Sequence, residues 1–161
     1  MPPVTGVVFR PQSPPEELRV VVEHVESAGV AELWLWEDCF LEGGLTTAAA
    51  ALAWSSRLRV GIGLLPVPLR NPAVAAMEIA TLARMFPGRL TVALGHGVQP
   101  WMEQVAARAE SPMTPLREHV DAVRALCLGG PTAGPVFKAF LWMIAIVAVF
   151  APLAIRRYRQ V

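Results

Sequence analysis

Short apolar runs alternate along the chain with longer segments that carry helical spacing. Residues 57–65 and 89–94 are runs of aliphatic and β-branched residues, as in strands that are buried on both faces. Between them, residues 71–86 repeat apolar side chains every three or four positions, which indicates a helix with one apolar face. Asn71 is the expected N-cap of this helix and Pro72 its first residue. The three segments predict a strand, a helix and a second, parallel strand.

The face of this helix that packs on the sheet is predicted to comprise Val74, Met77, Ile79, Leu82, Ala83 and Phe86. The same alternation predicts strands over 6–10 and 31–36, and helices over 18–28, 46–55, 100–108 and 115–128. Ser13 is the expected N-cap of the first helix, and Gly29 is the residue expected just past its end. Strand starts lie roughly 25 to 32 residues apart, which is typical of a (β/α)8 barrel. The predicted fold class is α/β, a partial (β/α)8 TIM barrel of about four βα units.

The composition changes after this body. Residues 131–135 are rich in Gly and Pro and predict a linker, and residues 136–155 are almost continuously apolar. Twenty residues of helix at about 1.5 Å each span the ~30 Å of a bilayer's hydrocarbon core. We therefore predict a barrel domain over 1–130 and a single transmembrane helix with a basic C-terminal tail over 136–161.

Two signals for the location of the chain disagree. The arginines at 156, 157 and 159 favour a cytoplasmic C-terminus after the membrane helix. The N-terminal residues lack the features of a signal peptide, and the body carries only two cysteines, which favours a reducing cytoplasm. We expect a single-pass membrane protein with its barrel domain in the cytoplasm, although that arrangement places the arginines across the membrane.

Charge and residue types narrow the function classes. Residues 1–135 carry 10 basic and 13 acidic residues, with no Lys/Arg cluster, so the body is not expected to bind nucleic acid. The three histidines show no H-x-x-x-H spacing and the two cysteines no C-x-x-C pair, so no metal site is predicted. No nucleophile elbow or phosphate-binding lysine loop occurs either.

The candidate site lies in the loops that follow the strands. In parallel α/β folds ligands bind at the carboxyl ends of strands, and here those ends carry the sequences PVPLRN and GHGV. Glu37 and Asp38 follow the second strand, where they either solvate a loop or take part in function. Of the three histidines, His96 in the GHGV loop has the strongest functional claim.

Three runs carry a resemblance to a known family: WLWEDCF, GIGLLPVPLRNPAVAAMEIATLARMFPGRL and ALGHGVQPWMEQV. In this order they resemble the luciferase-like monooxygenase family, the flavin- or deazaflavin-dependent oxidoreductases of the bacterial luciferase superfamily. The resemblance covers roughly residues 4–130, the N-terminal part of a family domain. It implies FMN or the deazaflavin coenzyme F420 as cofactor and a small-molecule substrate.

The resemblance also implies site residues, by position. The family's acidic residue near the cofactor ring falls on Asp38, and Cys39 stands where deazaflavin-dependent members often carry histidine. A bulge on the third strand, often with a non-prolyl cis peptide, falls on Gly63 and Leu64. The loop after the fourth strand completes the implied cofactor-binding set, which is Asp38, Gly63, Leu64, Gly95, His96 and Gly97. It assigns no catalytic residue.

The tail, residues 137–161, resembles the last transmembrane helix of ABC-2 type transporter permeases. In complete barrels the phosphate-binding loops follow the seventh and eighth strands, which are absent from this chain. Two hypotheses follow: a truncated luciferase-like oxidoreductase domain joined to a membrane helix, or a non-catalytic membrane-anchored fragment or fusion with a permease tail. Open sheet edges would also favour a homodimer.

Overall fold

A computed structural model describes residues 4–127, which form one four-stranded sheet covered by helices. The strands are β1 (Gly6–Val8), β2 (Glu32–Leu35), β3 (Arg59–Pro66) and β4 (Leu90–Gly95). They are parallel and lie in the order β1-β2-β3-β4, so each strand pairs with the next one in the chain. This order confirms the predicted parallel α/β architecture for the part of the chain described.

A helix follows each strand before the next strand begins. The helices are α1 (Leu18–Ser27), α2 (Gly44–Ala53), α3 (Pro72–Met85), α4 (Gln99–Gln104) and α5 (Met113–Cys127). Two short 3-10 turns, Pro15–Glu17 and Val67–Leu69, precede α1 and α3. The structure thus contains the four predicted βα units, with α4 and α5 both following β4.

The ends of the helices test the predicted caps. The Asn71 side chain accepts a hydrogen bond from the Ala73 N–H at 2.9 Å, with Pro72 in the first turn, so that N-cap is confirmed. Gly29 follows α1 with a φ of 73°, which confirms its place just past the helix end. Ser13 is not a cap, because extended backbone at Pro14 separates it from the 3-10 turn, which has no side-chain cap.

The two faces of the sheet differ in character. One face carries the alternate strand residues Leu33, Val60 and Ile62, which are fully buried against α1, α2 and α3. The other face carries polar and small residues, among them the ion pair of Glu32 with Arg59. This second face corresponds to the interior of a barrel, where strand side chains point inward in layers.

A tryptophan covers the middle of the inner face. Trp34 lies across Gly61 on the neighbouring strand, where an added Cβ would come within 2.4 Å of the indole ring. The indole N–H donates to the Glu32 carboxylate at 2.9 Å. Gly61 is required at this position because any side chain would displace the ring.

The buried face of α3 differs from the prediction. Ile79 and Leu82 are buried as expected, but Val74, Met77 and Ala83 are exposed, and Ala75 and Ala76 are buried in their place. Ile79 and Leu82 join the core cluster on the sheet, whereas Ala75 and Ala76 lie outside it, and α3 also packs extensively against α5. The helix was predicted correctly, but part of its orientation was not.

The tail lies outside the described residues. The predicted linker over 131–135, the transmembrane helix over 136–155 and the resemblance to a permease helix all fall there and stay predictions. Within residues 4–127, no helix is long and apolar enough to cross a bilayer. The described residues belong to one compact unit, Met1–Leu128.

Candidate functional site

A cavity of about 450 Å³ opens at the carboxyl ends of β2, β3 and β4. All six residues that the family resemblance implied line this one cavity: Asp38, Gly63, Leu64, Gly95, His96 and Gly97. Residues from three separate loops therefore meet, as the parallel topology requires of strand ends. Whether they bind a cofactor stays a prediction.

The end of β3 forms one wall of the cavity. A cis peptide bond joins Gly63 to Leu64, and the pairing with β4 shifts register between Gly63 and Leu65. The expected bulge and cis peptide are thus both confirmed at the positions predicted. The backbone turns Leu64 toward β4, and Gly95 leaves room for it, since a Cβ there would lie 2.5 Å from the leucine Cδ2.

The loop after β2 forms a second wall. Asp38 is half-buried, and no side chain among residues 4–127 donates a hydrogen bond to its carboxylate. Cys39 beside it is buried, and burial, with the charges of Asp38 and Glu37, raises the pKa of its thiol. Asp38 is therefore the carboxylate available to a bound molecule, and Cys39 stays a protonated thiol at neutral pH.

The loop after β4 completes the opening. His96 is exposed, and its Nδ1 lies 2.8 Å from the carbonyl oxygen of Gly97. Gly97 has a φ of 69°, and a Cβ on it would meet the Met102 sulfur at 3.0 Å. His96 consequently presents its other ring nitrogen, Nε2, away from the backbone of its own loop.

Three apolar residues of the lining were not predicted from the sequence: Trp36, Trp101 and Met102. Trp101 and Met102 lie in α4, a short helix whose apolar positions resemble those of any core-facing helix. No signal in the sequence separates them from core residues. Their effect is to make the cavity wall largely apolar and aromatic, which suits a flat ring system.

Glu37 has a different role from its neighbour Asp38. It is buried, 8% exposed, and its carboxylate pairs with the Arg70 guanidinium through both oxygens, one of these bonds measuring 2.6 Å. The Gly44 N–H at the start of α2 donates to the same carboxylate at 2.7 Å. Of the two alternatives for Glu37, solvation of a loop is wrong, because the side chain is enclosed and fully paired.

Charge in the cavity is correspondingly sparse. Asp38 and Glu37 are its carboxylates, and no lysine or arginine among residues 4–127 lines it. The lining therefore fits an aromatic ring system with few polar groups, and it offers no cationic side chain for a phosphate. The same residues contain no group of three His, Cys, Asp or Glu placed to hold a metal ion.

The parallel sheet, its helical cover and a cavity at the strand ends define an α/β protein of the (β/α)8-barrel type. The luciferase-like monooxygenase family matches residues 4–138, and the chain belongs to this family. The match agrees with the family inferred from the three sequence runs.

Similar proteins cover this region and extend well beyond it. Over 124 residues the chain is 23% identical to 5,10-methylenetetrahydromethanopterin reductase from Methanolobus tindarius, covering 77% of this chain and 38% of the relative. The coenzyme F420 dependent tetrahydromethanopterin reductase from Methanopyrus kandleri matches with a TM-score of 0.65 and 20% identity, over 76% of this chain and 39% of that one.

A second similar structure contains FMN. The oxygenating constituent of 3,6-diketocamphane monooxygenase from Pseudomonas putida, in complex with FMN, matches with a TM-score of 0.63 and 19% identity. The match covers 72% of this chain and 37% of that one. At this identity the structures show a shared fold, and the chain spans about two fifths of the length of the relatives it matches.

Proposed function

We propose that the described domain is the N-terminal part of a luciferase-like oxidoreductase, and that the strand-end cavity holds the ring of FMN or of coenzyme F420. The observation that carries this proposal is the convergence of Asp38, the Gly63–Leu64 bulge and the residues 95–97 on one apolar cavity. Its volume of about 450 Å³ lies within the range of small-molecule sites, about 300–1,000 Å³.

The cavity walls offer contacts for the ring of the cofactor but not for its phosphate. Leu64 and Trp101 offer flat or apolar contact, and the bare backbone at Gly63 leaves space for a planar group. Asp38 and the free edge of His96 supply polar contacts at the rim. Because no cationic side chain from residues 4–127 lines the cavity, the phosphate of the cofactor must be held by groups outside this lining or left in solvent.

Both cofactors are consistent with the relatives. The Methanopyrus enzyme is described as F420 dependent, and the Pseudomonas structure contains FMN. Either ring supplies hydride transfer, and FMN also supplies oxygen chemistry, while the protein orients the ring and limits water. Cys39, where deazaflavin-dependent members often carry histidine, gives the site a neutral thiol in place of an imidazole.

Completion of the barrel and attachment to a membrane are further parts of the proposal. A second copy of the chain could cover the inner face around Trp34, and the helix predicted over 136–155 could anchor the domain. The alternative is a non-catalytic membrane-anchored fragment, which the lack of lysine and arginine among the described residues of the cavity lining favours.

Titration of the detergent-purified full chain with FMN and with F420, followed by ligand fluorescence, tests the proposal. We expect saturable binding to one or both, weakened at least tenfold by Asp38→Ala. Asp121→Ala is the matched control, since Asp121 is exposed on α5 and lies outside the cavity. If the folded protein binds neither ligand, the cofactor proposal is wrong and the alternative of a non-catalytic fragment remains.

A further inference from the structure

Beyond the residues that line the cavity, one buried ion pair connects the segments from which the walls are built. Glu37 lies between Trp36 and Asp38 in the β2 loop, and its backbone N–H donates to the Leu64 carbonyl oxygen at 3.2 Å. Its side chain simultaneously reaches Arg70, beyond the 3-10 turn that follows β3. A single residue therefore joins the β2 wall to the β3 wall, once through backbone and once through its carboxylate.

The ion pair is itself held from two further helices. The Gly44 N–H at the first residue of α2 donates to Glu37 Oε2, and an added Cβ at Gly44 would lie 3.3 Å from the Glu37 Cβ, so the approach is close. On the other side, the ring nitrogen Nε2 of His119 lies 3.0 Å from the Arg70 carbonyl oxygen. His119 is only 3% exposed, so α5 contacts the loop from a buried position.

The ion pair between Glu37 and Arg70 also affects the charge at the cavity. Glu37 and Asp38 are consecutive carboxylates in one cavity lining, and unpaired they would repel each other. The Arg70 guanidinium satisfies both Glu37 oxygens, and this hydrogen bonding raises the pKa of Arg70 above its usual value. Asp38 is then left as the single unpaired carboxylate facing the cavity.

We propose that Glu37, through its contacts with Arg70, Gly44 and Leu64, is the positioning residue that sets both the geometry of the cavity walls and the isolation of the Asp38 charge. As far as ligand binding is concerned, this inference rests on the proposed function. Glu37 acts through its neighbours, because its own carboxylate is fully engaged by the Arg70 guanidinium and the Gly44 N–H. The pair fixes the segment between Trp36 and Cys39 against the bulge of β3.

The test compares Glu37→Gln with Glu26→Gln in the full chain. Glu26 is also a carboxylate that ties segments together, but at the amino end of β3, where it accepts from the backbone N–H groups of Ser56, Arg57 and Leu58. Both variants should lower the melting temperature. Only Glu37→Gln should weaken FMN or F420 binding, by about tenfold, and shift the absorbance spectrum of the bound ring, with partial rescue by Glu37→Asp.

A readout without ligand separates this inference from the proposed function. Hydrogen exchange at the amides of residues 36–39 and 63–65 should accelerate at least tenfold in Glu37→Gln and stay unchanged in Glu26→Gln. If the wild type binds neither ligand but exchange changes as stated, the cofactor proposal fails and the positioning role stands. Equal exchange at these amides in the two variants would overturn the positioning role, and so would unchanged affinity in Glu37→Gln for a ligand that the wild type binds.

Discussion

The two ends of the sheet use similar charged residues to opposite effect. At the amino end, Glu26 accepts hydrogen bonds from three successive backbone N–H groups before β3, and Arg89 donates to the carbonyl oxygens of Leu58 and Leu52. At the carboxyl end, Glu37 pairs with Arg70 and leaves the neighbouring backbone open around a cavity. In barrel folds the amino ends of the strands contribute to stability, and the carboxyl ends bind ligands.

The two ends of the sheet differ in the hydrogen-bond partners of their charged side chains. Glu26 and Arg89 bond mainly to backbone atoms, so they close the loops on which they act. Glu37 bonds mainly to another charged side chain, which removes both charges from the cavity and leaves apolar and glycine positions to form its walls. A stable end and a binding end can thus be built from the same residue types by changing their partners.

The largest expected effect is at the amino end. Glu26→Ala removes the acceptor of three backbone N–H groups, and we expect the free energy of unfolding to fall by about 2 kcal/mol. Urea unfolding followed by circular dichroism measures the loss. Ligand affinity of the folded variant should equal that of the wild type, and a change in affinity would mean that the two ends are not independent.

The next effect is at the carboxyl end. Gly95→Ala places a Cβ 2.5 Å from the Leu64 Cδ2, so the leucine must move into the cavity. We expect ring affinity to fall about tenfold, which corresponds to about 1.4 kcal/mol. Adding Leu64→Ala should restore part of the affinity, since it removes the colliding side chain. A double variant that binds no better than Gly95→Ala would show that the collision is not the cause.

A smaller effect is expected at the N-cap of α3, where the exposed Asn71 side chain accepts a hydrogen bond from its own helix and is not part of the cavity lining. Asn71→Ala removes the hydrogen bond from Ala73 N–H and should cost about 1 kcal/mol of unfolding free energy. Asn71→Ser, which keeps a capping oxygen, is the matched control. Thermal unfolding should separate these variants while their ligand affinities stay alike, and a cavity-specific defect in Asn71→Ala would contradict this assignment.

The smallest expected effect is on how the free energy of unfolding changes at acidic pH. The backbone N–H of Arg57, with those of Ser56 and Leu58, holds the pKa of Glu26 below its usual value of 4.5, although burial opposes the shift. A lowered pKa means that Glu26 contributes stability above about pH 4.5 and loses it as the pH falls through the folded-state pKa. Between pH 6 and 3, Glu26→Gln should therefore lose less unfolding free energy than the wild type. Parallel acid profiles would contradict this role.

The sequence predicted the elements better than their contacts. The strands, the Asn71 cap and the Gly63–Leu64 bulge were all identified, because local spacing, capping chemistry and the family resemblance each act over a few residues. The buried face of α3 was partly wrong: Ala75 and Ala76 are buried instead of Val74 and Met77, and α3 packs against α5 as well as against the sheet. The hydrophobic spacing of one helix carries no information about which other helix packs against it.

The candidate site shows the same limit. The six residues that the resemblance implied do converge on one cavity, but Trp36 and Trp101 in its wall have no distinguishing spacing. The pairing of Glu37 with Arg70, 33 residues apart, depends on the register of β2 and β3. The sequence could not separate the roles of Glu37 and Asp38, because adjacent carboxylates differ only in the partners that the fold brings to them.

The most direct test of the contrast between the ends is hydrogen exchange of the full chain with and without saturating FMN or F420. We predict that ligand protects the amides of residues 36–39, 63–65, 95–99 and 101–102 at the carboxyl end. Residues 56–58 and 89 at the amino end should exchange at unchanged rates. Protection confined to the amino end, or none at the cavity residues when the ligand is bound, would contradict the assignment of the strand-end cavity as the binding site.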